Sequence, residues 1–231
     1  MQAILDIVGE YWWDFLTGTW LTVQLVAIAG VLGLVVAVPV ALARLSENRA
    51  IYGLATAYSI FFRGTPLLVQ IFLIYFGLGQ FDFVRSSFLW PLLREAYVCA
   101  LITFTLNTAA YSGEVLRGGI LAVPRGEVEA ARAVGMSTFT TYRLVILPRA
   151  FSVALPAYSN EVIILMKGTA LASTITLLEL MGMAQLAASD TYQPILVFGI
   201  AGVIYYLLTL VITGVFRALE RRYNRYQAVA R

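Results

Sequence analysis

The 231-residue chain has no histidine, a single cysteine (Cys99), and only 13% charged residues. Each scarcity excludes something. Without histidine, a Cys/His zinc site, a Cys–His dyad and a Ser-His-Asp triad are out of reach. One cysteine cannot close an internal disulfide, so the redox compartment is not readable from it. Soluble domains carry about one-quarter charged residues. With 60% hydrophobic residues, this chain has too little polar side chain to cover a sphere of its size. That excludes a soluble enzyme, a disordered chain and a disulfide scaffold. The formal net charge of +3 is too small to indicate a nucleic-acid partner. What remains is an integral membrane protein.

A spanning helix needs about 20 mostly apolar residues. Five stretches qualify: residues 15–43, 50–81, 96–116, 150–166 and 191–216. The fourth is the shortest and starts near Pro148 and Pro156. The expected fold is therefore all-α, with five transmembrane helices forming one domain over residues 1–231. Basic residues set its direction. Arg44 and Arg49 follow the first span; Arg117, Arg125, Arg132, Arg143 and Arg149 lie between the third and fourth; Arg217, Arg221, Arg222, Arg225 and Arg231 make the tail. These twelve of the 16 cations share one side if the chain crosses five times. The positive-inside rule then puts the N-terminus outside and the C-terminus in the cytoplasm. Trp12, Trp13, Trp20 and Trp90 fall near the outer boundaries, where indole rings favour the interface. Asp6, Glu10 and Asp14 occupy the place of a basic n-region, so a cleaved signal peptide is not expected. Residues 168–190 are apolar and dotted with Thr and Ser, which suits a re-entrant or interfacial helix.

The internal segment 123–148 reads VPRGEVEAARAVGMSTFTTYRLVILP. Pro124 and Gly126 open a helix, with Glu127 and Glu129 in the first turn where the macrodipole favours acid. Gly135 is a natural stop, and Ser137 or Thr138 can cap a second short helix bearing Phe139 and Tyr142. One reading is an amphipathic hairpin lying on lipid phosphates. The other is a projecting knob, whose small side chains let a partner backbone approach.

The spacing favours the knob. Glu129-Ala130-Ala131, three residues, Gly135, nine residues, Val145, one residue and Leu147-Pro148 resemble the EAA loop of permease subunits in ABC importers. Val145 in place of Ile is the only departure. The runs Phe62-Arg63-Gly64-Thr65-Pro66, Asn107-Thr108-Ala109-Ala110-Tyr111 and Leu155-Pro156-Ala157-Tyr158-Ser159-Asn160-Glu161-Val162 are similar to the polar amino acid uptake group. Within it, they most resemble M-type subunits of histidine/lysine/arginine/ornithine permeases. The resemblance covers nearly the whole chain and implies a type I ABC importer permease fold in the bacterial inner membrane. It also implies a paralogous Q-type permease subunit, two cytoplasmic ATPase subunits and a periplasmic amino-acid-binding protein as partners. Glu129, Ala130, Ala131, Gly135, Leu147 and Pro148 would then couple to the ATPase. The residues agree independently: the chain has no GxxxxGK[ST], and Lys167-Gly168-Thr169 lacks the preceding glycines. It is not expected to be an enzyme or to bind a cofactor, and ATP with magnesium belongs on the partner ATPase.

Charges within a span cost at least about 2.5 kcal/mol each, so each needs a partner or a pathway. Arg63 precedes Pro66, which removes an amide and breaks or kinks the helix. Exposed helix ends at membrane depth can bind a substrate carboxylate. Gly64 and Thr65 either hold an amino acid head group or belong to a plain kink from which Arg63 snorkels. Glu161 suits a cationic substrate; an internal salt bridge to Arg63 or Lys167 is the competing reading. Glu114, with Arg117 three positions on, reads as a structural or gating ion pair. Asn107 binds substrate or bridges helices. A secondary transporter or channel working without ATP remains the alternative; against it stand the odd span count and the lack of an inverted repeat. An intramembrane protease would need a base for Ser159 or Ser173.

Overall fold

The computed structural model of the chain describes residues 2–223, so Arg225 and Arg231 lie outside the described residues. Every regular element among them is helical. Helix α1 runs Gln2–Ala43 and begins well before the apolar run at residue 15. The cause is a buried stripe at helical spacing: Ile7, Tyr11 and Phe15 pack on residues near the other end of the chain, including Leu180, Ala184 and Val197. Asp6, Glu10 and Asp14 sit on the exposed face of this extension. After Asn48, whose side chain caps the amides of Ala50 and Ile51, α2 covers Arg49–Gly64. It stops before Pro66, and α3 (Leu67–Phe72) leaves in another direction. A π-helical turn, Leu73–Gly77, and a 3-10 turn, Leu78–Gln80, extend α3. The second apolar stretch is therefore broken, as Pro66 predicts, with its halves bent by 107°.

Two short helices, α4 (Asp82–Arg85) and α5 (Trp90–Leu93), lead into α6, Ala96–Leu121. The knob follows as α7 (Arg125–Ala133), α8 (Thr138–Thr141) and a π-helical segment, Tyr142–Ile146, which runs directly into α9, Leu147–Gly168. A 3-10 stretch, Thr169–Ile175, and a left-handed residue, Thr176 (φ 70°), turn the chain into α10, Leu180–Thr191. At 12 residues, α10 is too short to cross a bilayer alone. Helix α11, Pro194–Tyr223, completes the bundle.

Within α1 (from Leu5) and in α11, length and composition suffice for crossing a membrane; counting each of two bent pairs as one span gives up to four. Helix α6 has the length but carries Asn107, Glu114 and Arg117, and five spans require it as the fifth. It is the hub of the fold, packed against α1 on one side and α9 on another. Leu25, Ala29, Ile71, Phe104 and Met166 form the central core. Close approach is set by Gly119: a Cβ there would lie 2.6 Å from the Ala150 carbonyl oxygen.

Glu179 shows how α10 is held against α1 and α11. This fully buried carboxylate accepts from the Gly182 amide at 2.9 Å, the Tyr205 hydroxyl at 2.9 Å and the Thr22 hydroxyl at 3.3 Å. It ties α10 to α11 and α1, which a buried acid can do only when its lone pairs are occupied. Replacing Gly119 by Leu should force α6 from α9 and cost about 1–3 kcal/mol. The measurement is the thermal unfolding midpoint in detergent, and an unchanged midpoint would contradict the close packing.

Candidate functional site

The break between α2 and α3 begins with a missing donor. In a continuous helix the Phe62 carbonyl would accept from the amide four residues on, and that residue is Pro66. Two side-chain amides take its place. Gln70 Nε2 donates to the Phe62 oxygen at 2.8 Å, and Asn107 Nδ2 donates to it from α6 at 3.2 Å. Asn107 also donates to Gln70 Oε1 at 2.9 Å, which fixes both amides. Gln70 reaches the Thr65 carbonyl at 3.0 Å and Thr65 Oγ1 at 2.8 Å as well. The Thr65 hydroxyl itself donates to the Phe61 carbonyl at 2.8 Å. Tyr111, one turn along α6 from Asn107, donates its hydroxyl to the Arg63 carbonyl at 3.3 Å. The break is a polar junction between α2, α3 and α6 in which the Phe62, Arg63 and Thr65 carbonyls each accept from a side chain.

Several sequence-level candidates meet here. Asn107, Tyr111 and Glu114 recur at helical spacing and share one face of α6. Arg63 stands 5.4 Å from the centre of the Tyr111 ring, a cation–π distance. Its charge acts on both Glu114 and Glu161. Glu161, half-buried on α9, forms no ion pair with Arg63, Lys167 or any other cation among the described residues. The internal salt bridge considered for it is not made. Gly64 is exposed, and a Cβ there would meet open space. Asn107 bridges helices, and Thr65 is engaged at the break.

Toward the knob end of α6, Glu114 accepts from Arg117 Nε at 3.0 Å, as its spacing predicts. A second guanidinium, from Arg44 at the end of α1, also pairs with Glu114. The cluster thus joins two helices rather than one. Arg44 was not legible as its partner, lying seventy positions away. Gln70 was missed too; its signal is one amide in the apolar run that follows Pro66.

The knob has the predicted local structure. Gly135 ends it with φ +82°, a conformation that favours glycine. Ser137 Oγ caps α8 by accepting from the Thr140 amide at 3.2 Å. Glu129, Ala130, Gly135 and Pro148 are exposed and Leu147 is half-buried. Ala131 is buried, so it packs the knob itself. Val134 and Phe139, each 74% exposed, give the knob an apolar tip. Glu127 pairs with Arg149 at 3.5 Å, clamping α7 to the start of α9.

A polar break at membrane depth, a carboxylate without a partner and an apolar-tipped projection are features of a membrane transport protein. The chain belongs to the family of binding-protein-dependent transport system inner membrane components, which matches residues 19–225. It is similar to the octopine transport system permease protein OccM of Rhizobium radiobacter, at 47% identity over 216 residues, covering 91% of this chain and 88% of that protein. It is similar to the nopaline transport system permease protein NocM of Agrobacterium fabrum, at 50% over 200 residues (86% and 83%). The histidine/lysine/arginine/ornithine transport system permease protein HisM of Escherichia coli K12 is 41% identical over 231 residues (96% and 97%). A solved amino acid ABC transporter, crystallised with histidines, superposes with TM-score 0.82 at 34% identity, covering 95% of this chain and 98% of that one. The methionine transporter MetNI, at 20% identity and TM-score 0.74 (93% and 98%), shares the fold. The chain is thus a multi-pass permease subunit of the inner membrane, and the relatives are named as transport permeases, not enzymes.

Replacing Gln70 by Leu should cost about 1–3 kcal/mol, the penalty of unserved buried acceptors. Asn107→Leu should cost a similar amount. Because Asn107 and Gln70 hydrogen-bond each other, each single variant already loses that bond, and the double variant should fall short of the sum. Unfolding midpoints of the three variants check this, and strict additivity would contradict the shared role.

Proposed function

We propose that this chain forms the translocation pathway of an ATP-driven, binding-protein-dependent importer of polar amino acids, with cationic amino acids or opines as cargo. The observation that carries the cargo class is Glu161, a half-buried carboxylate on α9 with no ion pair among the described residues. A desolvated carboxylate is the natural counter-ion of a substrate bearing net positive charge. The names of the relatives, which transport octopine, nopaline or histidine, lysine, arginine and ornithine, support that class. Gly64, exposed at the end of α2, offers backbone to the head group; Asn107 and Thr65 hold the break open beside it.

In this reading five helices cross the membrane, with the N-terminus outside and the knob in the cytoplasm, following the arginines. A paralogous permease subunit completes the pathway, and a periplasmic amino-acid-binding protein delivers cargo. Two ATPase subunits carry ATP and magnesium. Glu129, Ala130 and Gly135, with the exposed Val134 and Phe139, meet a cleft on the ATPase; Ala131, Leu147 and Pro148 shape the knob and its junction with α9. The clamp between Glu127 and Arg149 makes knob and α9 move together. The cluster of Arg44, Glu114 and Arg117 gates the cytoplasmic end by joining α1 to α6 in one state.

The test is uptake of arginine, histidine, ornithine and glutamine by the reconstituted complex, with and without ATP. Uptake of the cationic amino acids that requires ATP is expected; accumulation without nucleotide would favour a secondary transporter. Glu161→Gln should weaken binding of cationic cargo by about tenfold or more while assembly persists, and unchanged uptake would remove Glu161 from the cargo site. Gly135→Asp should uncouple ATP hydrolysis from uptake. Asp tolerates left-handed backbone better than most residues, so the effect reads on the contact rather than on the fold. Coupling that survives the change would count against docking through this turn.

A further inference from the structure

An apolar groove of about 870 Å³ lies between α1, α6, α9 and α11. It follows α1 from Val26 to Val35, which at 1.5 Å per residue is roughly 14 Å. That is about half of a hydrocarbon core roughly 30 Å thick, the depth of one leaflet. Its lining is almost wholly aliphatic and aromatic, with Phe151 and Phe216 among the walls. Only 11% of the apolar window of α11, the outer wall, is buried, so this side of the groove lies open beside the least enclosed helix.

Arg143 distinguishes the groove from a plain lipid-facing crevice; Ser112, Ser152, Tyr158 and Tyr223 are the other polar side chains on its lining. Arg143 lines it at the knob end, is exposed, and has no ion pair among the described residues. Ser112 also lines it; its side chain is 1% exposed and its hydroxyl has no hydrogen-bond partner among the described residues. The next residue, Gly113, faces Val40 of α1, so Ser112 stands toward the knob end rather than at mid-depth. A phospholipid suits the accessible parts of this arrangement: acyl chains for the apolar walls and a phosphate for Arg143. Basic residues between spanning helices at a membrane surface bind anionic head groups in this way.

We propose that the groove is a binding site for an anionic phospholipid, with its acyl chains between α1 and α11 and its head group on Arg143. The site is separate from the polar junction of α2, α3 and α6, so it would persist if the cargo reading failed.

The test places a photoreactive benzoylphenylalanine at position 151, and separately at 34, in the full chain within bacterial membranes containing phosphatidylethanolamine and phosphatidylglycerol. Mass spectrometry then identifies the adducts. The expected result is a phospholipid adduct enriched severalfold in phosphatidylglycerol over its share of the membrane. Arg143→Gln should abolish the enrichment, and Arg143→Lys should retain most of it. Adducts that mirror bulk lipid composition would overturn the proposal. So would an adduct with another protein, which would make the groove a subunit interface, or the absence of any adduct. The enrichment in the parent chain decides the matter even if Arg143→Gln fails to accumulate.

Discussion

The structure turns on the carbonyl oxygen of Phe62. Pro66 deprives it of its helical donor, and a partly buried carbonyl needs another. An unserved carbonyl there would cost several kcal/mol. Gln70 and Asn107 supply the missing hydrogen bonds, and in doing so they determine where α3 and α6 must lie. The 107° bend is therefore a junction of fixed geometry. Tyr58 adds to it by donating its hydroxyl to the Leu106 carbonyl at 2.6 Å, fastening the preceding part of α2 to the same region of α6.

What was legible in the sequence depended on range. Features resolved within one or two helical turns were readable: Gly135 as a stop, Ser137 as a cap, Pro66 as a break and Glu114 with Arg117 as a pair. Each is a local rule of backbone or side-chain reach. Features that needed the fold were not. The bond between Asn107 and Gln70 joins residues 37 positions apart, and that between Arg44 and Glu114 joins residues 70 apart. Hydropathy also misjudged α1, because its first turns are amphipathic rather than uniformly apolar, and only α10 and α11 explain why Ile7, Tyr11 and Phe15 are covered. Glu179 sat unnoticed in an apolar stretch; its donors come from α1, α10 and α11.

The two carboxylates facing the charge of Arg63 differ in a way that separates their uses. Glu114 is held by two guanidinium groups and is therefore structurally committed. Glu161 feels Arg63 only at a distance. Placing an unpaired acid in a span is costly, and a stable protein tolerates it only where something else gains. In the proposed function, a cationic solute entering from water would lose hydration and recover part of that loss in the field of this acid. The same reasoning explains why Thr65 and Asn107 do not need to touch cargo: a positioned backbone end is useful only if other groups keep it from closing into a helix.

Mechanical coupling can be followed along the same chain of contacts. The knob is continuous with α9 through the π-helical segment, and the Glu127–Arg149 pair removes slack between them. Helix α9 meets α6 at Gly119, where the backbones touch without intervening side chains. Helix α6 in turn serves the α2 carbonyls through Asn107 and Tyr111. In the proposed function, a displacement of the knob would reach the break through these contacts. Because hydrogen bonds weaken steeply with distance and angle, the junction of α2 and α6 cannot slide gradually; it must hold one set of bonds or exchange it for another. A junction of that kind is suited to switching between discrete states.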